Sequence, residues 1–230
     1  MASQPDTVAD RYCYTREEVQ FRYQRRTRSV LRLLRGAGLL PLSNSRILDV
    51  GCGRGDWLAD FEMWGAGRAG LAGIECEPAR AQATRARFAA LRDEHGAIQE
   101  MGADIRHGDA SVLPWPDQRF DLVVQSTLFT SIPEASNREQ IASEMIRVLR
   151  PHGAILWYDF TYDNPANPAV RGVSLSEIRR LFPGFHLQSK RLTLAPPLAR
   201  RVVPLSWHLA EMLEGLRVLN THVLAVLRMG

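Results

Sequence analysis

Short apolar runs alternate along this chain with longer stretches whose apolar residues recur at helical spacing. That alternation predicts a parallel sheet with helical crossovers. Val19, Tyr23, Val30 and Leu34 share one helical face, which predicts a helix over about 15–35, with Thr15 and Glu18 as a capping box and Gly36 and Gly38 as its stop. Residues 46–50 read as a first strand, 55–65 as a helix and 70–75 as a second strand. Pro78 takes the first position of the next helix, which carries Ala81, Phe88 and Leu91 to about Glu94. A glycine-containing loop at 95–102 leads to a third strand near Ile105. Residues 120–125 are apolar on both faces, as a central strand requires. Ser136 and Glu139 form a second capping box, for a helix with Ile141, Met145, Val148 and Leu149 inward that ends at Pro151-His152-Gly153. A fifth strand at 154–160 precedes a surface loop at 161–173, rich in Pro and Asn. Ser174 and Glu177 form a third box, opening a short helix that stops before Pro183. Strands at 185–194 and 221–229 enclose a helix at about 205–214.

With 230 residues, 45% of them hydrophobic, the chain can form one globular domain with a full core. We divide it into an N-terminal helical lid, 1–45, and a main domain, 46–230. The formal net charge is +4, but Lys190 is the only lysine, so the excess is almost wholly arginine and reads as compositional bias. Seven arginines between 16 and 35 keep a nucleic-acid partner as an alternative; the balance of the sequence points away from one. Cys13, Cys52 and Cys76 form no Cys-x-x-Cys pair, which argues against a disulfide framework and against a metal site. No apolar run approaches the roughly 20 residues of a membrane span, and residues 1–10 are polar, so a cytoplasmic location is expected. The oligomeric state is not legible.

The most informative segment is Ile47-Leu48-Asp49-Val50-Gly51-Cys52-Gly53-Arg54-Gly55. An apolar strand runs into three alternating glycines and then into a helix. Glycine permits the sharp turn and leaves no Cβ between backbone and ligand, and the end of a parallel strand is where open α/β sheets bind nucleotides. The spacing Gly-x-Gly-x-Gly resembles motif I of the class I S-adenosylmethionine-dependent methyltransferases more than the dinucleotide fingerprint Gly-x-Gly-x-x-Gly. The resemblance extends over about 46–159. It takes in Glu75 at the end of the second strand, with Cys76 beside it, and Asp109-Ala110 after the third. It also includes Gln125 and Leu128 at and beyond the fourth strand, and the corner Arg147-Val148-Leu149-Arg150-Pro151-His152-Gly153.

This resemblance implies an α/β, Rossmann-like fold: a seven-stranded, mostly parallel sheet with helices on both faces, and a last, antiparallel strand inserted between the fifth and sixth. It implies S-adenosyl-L-methionine as cofactor. Asp49 would hold its ammonium group or a water, and Gly51, Gly53 and Gly55 would approach its amino-acid end. Glu75 would accept from the ribose hydroxyls, Asp109 from the adenine amine, and Ala110 and Leu128 would flank the ring. Cys52 and Cys76 read as packing residues, and the backbone about Gln125 would meet the methionyl part. An NAD-dependent oxidoreductase shares the acid at Glu75 but does not require one at Asp109.

The acceptor is less legible. The expected acceptor is a small molecule, natural product or glycan, methylated on oxygen. The alternatives are a tRNA or rRNA methyltransferase and a non-catalytic cofactor-binding partner protein. Many relatives of the small-molecule type carry His-His shortly after motif IV, whereas Thr130-Ser131 stands here, so no imidazole base occupies that place. The Asn-Pro-Pro-Tyr type signature is also absent, and Asn164-Pro165 and Asn167-Pro168 read as loop turns. Tyr12, Tyr14, Tyr158, Trp207 and His208 are candidates for the acceptor pocket, and Asp159 is the candidate base or acceptor-orienting group. His107, His152, His186 and His222 read as surface or packing residues.

Overall fold

A computed structural model of the chain describes residues 13–92, 94–163 and 170–229. Helix α1 (Glu17–Gly36) precedes strand β1 (Ile47–Val50), helix α2 (Asp56–Met63) and strand β2 (Leu71–Glu75). Helix α3 (Pro78–Arg87) is followed by a small hairpin, β3 (Leu91–Arg92) and β4 (Ile98–Glu100), then β5 (Asp104–His107) and β6 (Phe120–Ser126). Helix α4 (Ala135–Val148) leads into β7 (Leu149–Phe160), and α5 (Leu175–Leu181) into β8 (Phe185–Leu194). Helices α6 (Pro196–Val202) and α7 (Trp207–Gly215) form an insertion before β9 (Asn220–Met229). Seven strands make one sheet in the order β5-β2-β1-β6-β7-β9-β8. β9 runs antiparallel between β7 and β8, with Phe160 opposite His222 and Leu192 on its other side. The mixed sheet expected from the sequence is therefore present, last strand included.

The core lies on both faces of the sheet, which is why its central strands read as unbroken apolar runs. On one face Ile141, Met145 and Val148 of α4 and Ile178 of α5 pack with Val123, Ile155 and Trp157. On the other, Val30 and Leu34 of α1 and Trp57, Leu58 and Phe61 of α2 pack with Ile47, Val124, Leu156 and Leu224. The N-terminal half of α1 belongs to a third cluster, in which Phe21 meets Leu194, Ala199, Val203 and Ala210. Thus α1 is anchored in the core at one end and against the α6–α7 insertion at the other. Two ion pairs reinforce this: Arg26 to Asp60 of α2 at 2.6 Å, and Arg25 to Glu214 of α7 at 2.6 Å.

Several local expectations fail for identifiable reasons. Thr15 does not cap α1; the cap position is Arg16, without a side-chain bond, and the Thr15 hydroxyl lies 3.0 Å from the Cys13 thiol. Ser136 falls inside α4, whose cap position is Glu134. Only the third box forms, with Ser174 accepting from the Glu177 N–H. Leu91 is not helical: α3 ends at Arg87 and the chain turns into the β3–β4 hairpin, which also replaces the loop foreseen at 95–102. Leu149 opens β7 instead of closing α4, and His152 turns the chain there with φ of 66°. Tyr23 is half-buried because its hydroxyl bonds Asp60.

Candidate cofactor site

Pairing of β1 with β2 and β6 brings the C-terminal ends of three strands together, with Val50 opposite both Ile74 and Gln125. Immediately beyond, the N–H groups of Gly51 and Cys52 both donate to the Ile74 carbonyl at 2.9 Å, folding the chain sharply over β2. Gly51, Gly53 and Gly55 have φ of 76°, 54° and 76°, the left-handed region that favours glycine. A Cβ on Gly55 would come within 2.7 Å of Phe88, and one on Gly51 within 3.1 Å of Leu128. A Cβ on Gly53 would meet nothing within 4 Å. Gly55 is thus required for packing, while Gly53 fronts open space at the rim.

Glu75 closes this turn from below. Its carboxylate accepts from the Gly53 N–H and the Glu77 N–H, each at 2.9 Å, and is only 6% exposed. These bonds fix its orientation and leave lone pairs for further donors. Asp49 lies deeper. It is 2% exposed, and its Oδ1 is buried with no hydrogen-bond partner among the described residues. Burial first, then the carboxylates of Asp56 and Glu75, push its pKa up to about 7. A cation placed against Asp49 would satisfy the orphaned oxygen and restore the ionised form.

The remaining predicted residues follow along the same rim. Asp109 is exposed, its Oδ1 accepting from the Ser111 N–H at 2.8 Å, and the Gly108 N–H donates to the Glu75 carbonyl at 3.1 Å. Ala110 and Leu128 are half-buried against the core. Gln125 is buried; its Oε1 accepts from the Leu128 N–H at 3.3 Å while its Nε2 has no partner among the described residues. Cys52 is buried beneath the turn, so close to β2 that a Cβ on Gly73 would stand 2.8 Å from its sulfur. Burial pushes its thiol pKa up, which suits packing and not nucleophilic chemistry. Cys76 lies with its sulfur 3.5 Å from the Glu75 carboxylate; partial desolvation, then that carboxylate, raises its pKa as well.

Of the acceptor-side candidates, Asp159 and Tyr158 lie inside the protein. Asp159 is fully buried and accepts from the Phe129 and Thr130 N–H groups (3.1 and 3.4 Å), the Thr130 hydroxyl (2.7 Å) and the Phe160 N–H (2.8 Å). Burial lifts its pKa to about 6 against those bonds. These bonds tie the segment after β6 to β7. Tyr158 is buried too, with its hydroxyl 2.7 Å from that of Thr193. Trp207 packs edge-on against Phe21, His208 is 98% exposed, and Tyr14 stands edge-on to Tyr23 at the surface. Tyr12, Asn164-Pro165 and Asn167-Pro168 lie outside the described residues.

Two residues were missed. His222 sits at the rim at the start of β9, stacked on Tyr158 and 3.9 Å from Phe160, with Nδ1 2.8 Å from the Thr221 hydroxyl. Burial, then the charges of Arg22 and Arg26, lower its pKa to about 3, so the imidazole is neutral. The signal was the alternation His222, Leu224, Val226 along a strand with a buried face. The other is Arg138, 0% exposed, which bonds the carbonyls of Ile132 (2.7 Å) and Arg171 (2.9 Å) and pairs with Glu177. In sequence it looks like any solvated helix arginine.

Residues 47–153 match the methyltransferase domain family. The chain is 29% identical over 147 residues to a phthiotriol/phenolphthiotriol dimycocerosates methyltransferase of Mycobacterium ulcerans, covering 64% of this chain and 49% of that one. It is 32% identical over 125 residues to the 27-O-demethylrifamycin SV methyltransferase of Amycolatopsis mediterranei, covering 54% and 42%. The chain therefore spans about half the length of the curated relatives it matches. Its fold is similar to that of an S-adenosylmethionine-dependent methyltransferase from Mesorhizobium loti, with a TM-score of 0.59 at 17% identity over 85% of this chain and 95% of that one. Residues 47–153 are thus similar to a methyltransferase domain, and the glycine turn, the acids at the ends of β2 and β5 and the strand order fit the arrangement of the class I S-adenosylmethionine-dependent methyltransferases.

Proposed function

We propose that the protein transfers a methyl group from S-adenosylmethionine to oxygen on a small organic molecule bound beside the rim of β6 and β7. The observation that carries the cofactor half is the open cradle at Gly53 next to the unpartnered Oδ1 of Asp49. The cofactor supplies an activated methyl on a sulfonium, so the protein's task is alignment and exclusion of water. Asp49 takes the ammonium group. The turn Gly51–Gly55, continued by the N–H groups at the start of α2, faces the carboxylate. Glu75 accepts from the ribose and Asp109, through its free Oδ2, from the adenine amine; Ala110 and Leu128 flank the ring. Cys52 and Cys76 pack beneath and beside it, and Gln125 lies at the methionyl end.

The acceptor half rests on two supports. The relatives above are named for small-molecule acceptors, one of them on oxygen. The rim at the ends of β7 and β9 is walled by Phe160 and the neutral His222, with Tyr158 behind. A neutral imidazole can hold a hydroxyl by hydrogen bonding, while Asp159 supports the wall from within. An RNA acceptor finds less support, since Arg16, Arg25 and Arg26 of the basic stretch are paired with Glu18, Glu214 and Asp60. The test is calorimetry with S-adenosylhomocysteine, followed by labelled methyl transfer to hydroxylated small molecules and to bulk tRNA. Saturable binding and label in the small-molecule pool are expected; label confined to tRNA would overturn the acceptor assignment, and no binding would overturn both.

A further inference from the structure

The α6–α7 insertion leaves the sheet at Leu194, the end of β8, and returns at Asn220, the start of β9. Because β8 is parallel to β7, this is the same rim that carries the glycine turn. The insertion packs Ala199, Val203, Ala210 and Leu213 inward yet leaves other apolar side chains in solvent. The inward face of α7 carries Ala210 and the charged Glu214, both buried, and Glu214 is neutralised by Arg25 of α1. The outward surface carries Leu209 and Met212 of α7, with Leu205 in the turn before the helix and Leu216 at its extended C-terminal cap. Leu205, Leu209, Met212 and Leu216 are 82%, 45%, 73% and 54% exposed, and Val218 is 77% exposed. Arg200 and Arg201 on α6 and Arg217 between Leu216 and Val218 are all exposed and without a hydrogen bond or ion pair among the described residues. The two acids of residues 196–219, Glu211 and Glu214, both pair with Arg25, so the exposed charge of the insertion is positive.

We propose that this patch docks on an anionic lipid surface, seating the rim of the sheet against the membrane. Exposed aliphatic side chains on a short helical insertion that also carries unpaired arginines are the chemistry of a segment lying in the headgroup layer. The patch lacks the Tyr and Trp anchors that dominate protein–protein hot spots. Among the described residues no helix is long and apolar enough to cross a membrane, so the contact is peripheral. The inference goes beyond the catalytic reading and needs no cofactor. Its consequence is that an acceptor dissolved in lipid could reach the rim without crossing water.

The experiment is flotation of the full chain with vesicles of phosphatidylcholine alone and of phosphatidylcholine with phosphatidylglycerol, at low and high salt. Binding to the anionic vesicles, weakened by salt, is expected. Met212→Glu with Leu216→Glu should lower it at least about tenfold, and Arg200→Glu with Arg201→Glu and Arg217→Glu about a hundredfold. The thermal midpoint and S-adenosylhomocysteine affinity of these variants should not move. All five positions are exposed, so should one variant fail to fold, the other decides. Absence of folded wild-type protein from both floating fractions overturns the proposal. So does a wild-type dimer in sedimentation that the Met212/Leu216 variant converts to monomer, which would make the patch a self-association face. Calorimetry on the same material without vesicles tests the cofactor reading separately.

Discussion

At the scale of single residues, the buried carboxylate of Asp49 is the most consequential group. Its pKa near 7 exceeds that of an unfolded aspartate, so the folded protein binds more protons than the unfolded chain between about pH 4 and 7. The stability of the ligand-free protein should therefore fall as pH rises through that window and level off above it. Asp49→Asn should remove this dependence and stabilise the free protein at pH 8 by about 1–3 kcal/mol, while abolishing S-adenosylhomocysteine binding; urea titrations at pH 5 and pH 8 check the first part. For the wild type, an ammonium ligand needs Asp49 ionised, so affinity should rise up to about tenfold per pH unit below 7 and flatten above, with a proton release visible in buffers of different ionisation enthalpy. Gly53→Ala should cost about 1–2 kcal/mol in stability from its positive φ and at least tenfold in cofactor affinity. Unchanged affinity would mean that the open space at Gly53 is not cofactor space.

Between elements, buried charge does the joining. Asp60 on α2 is 2% exposed and receives Arg26 and Tyr23 from α1. Burial raises its pKa, and the Arg26 charge opposes that rise. Arg26→Ala should strand this carboxylate and cost about 3–5 kcal/mol in chemical denaturation. Arg138→Ala should cost a similar amount, since two carbonyls and Glu177 lose their donor at once. Asp159→Ala should behave as a stability variant, losing about 2–3 kcal/mol because the Phe129 and Thr130 N–H groups are left unpaired. A variant that keeps its melting temperature yet loses turnover would return Asp159 to a direct catalytic role.

For the whole molecule, the charge of +4 divides into spent and unspent parts. Arg25 and Arg26 are spent inside, on Glu214 and Asp60, whereas Arg200, Arg201 and Arg217 face outward beside exposed apolar residues. Bulk tRNA should accordingly bind weakly, with no saturable complex at physiological salt in a filter-binding titration.

The strands and the rim segments from Asp49 to Leu128 were legible because each is encoded within a few residues: a buried strand is an apolar run, and a tight turn needs glycine; the order of the strands came from the family resemblance. Helix entries were legible only where nothing competed. Ser174 caps α5, but Thr15 and Ser136 were overruled by where packing placed the first buried turn. Leu91 satisfied helical spacing and still went into a hairpin, because period alone does not say where a helix stops. By itself the sequence determined the sheet, the glycine turn and the acids that end β2 and β5. Only the tertiary structure decided that Asp159 faces inward, that His222 reaches the rim, and that α7 buries Glu214 and exposes Met212. Those outcomes depend on partners far apart in the chain, such as Arg25 with Glu214 and Asp159 with Thr130, and a one-dimensional pattern carries no distance between them.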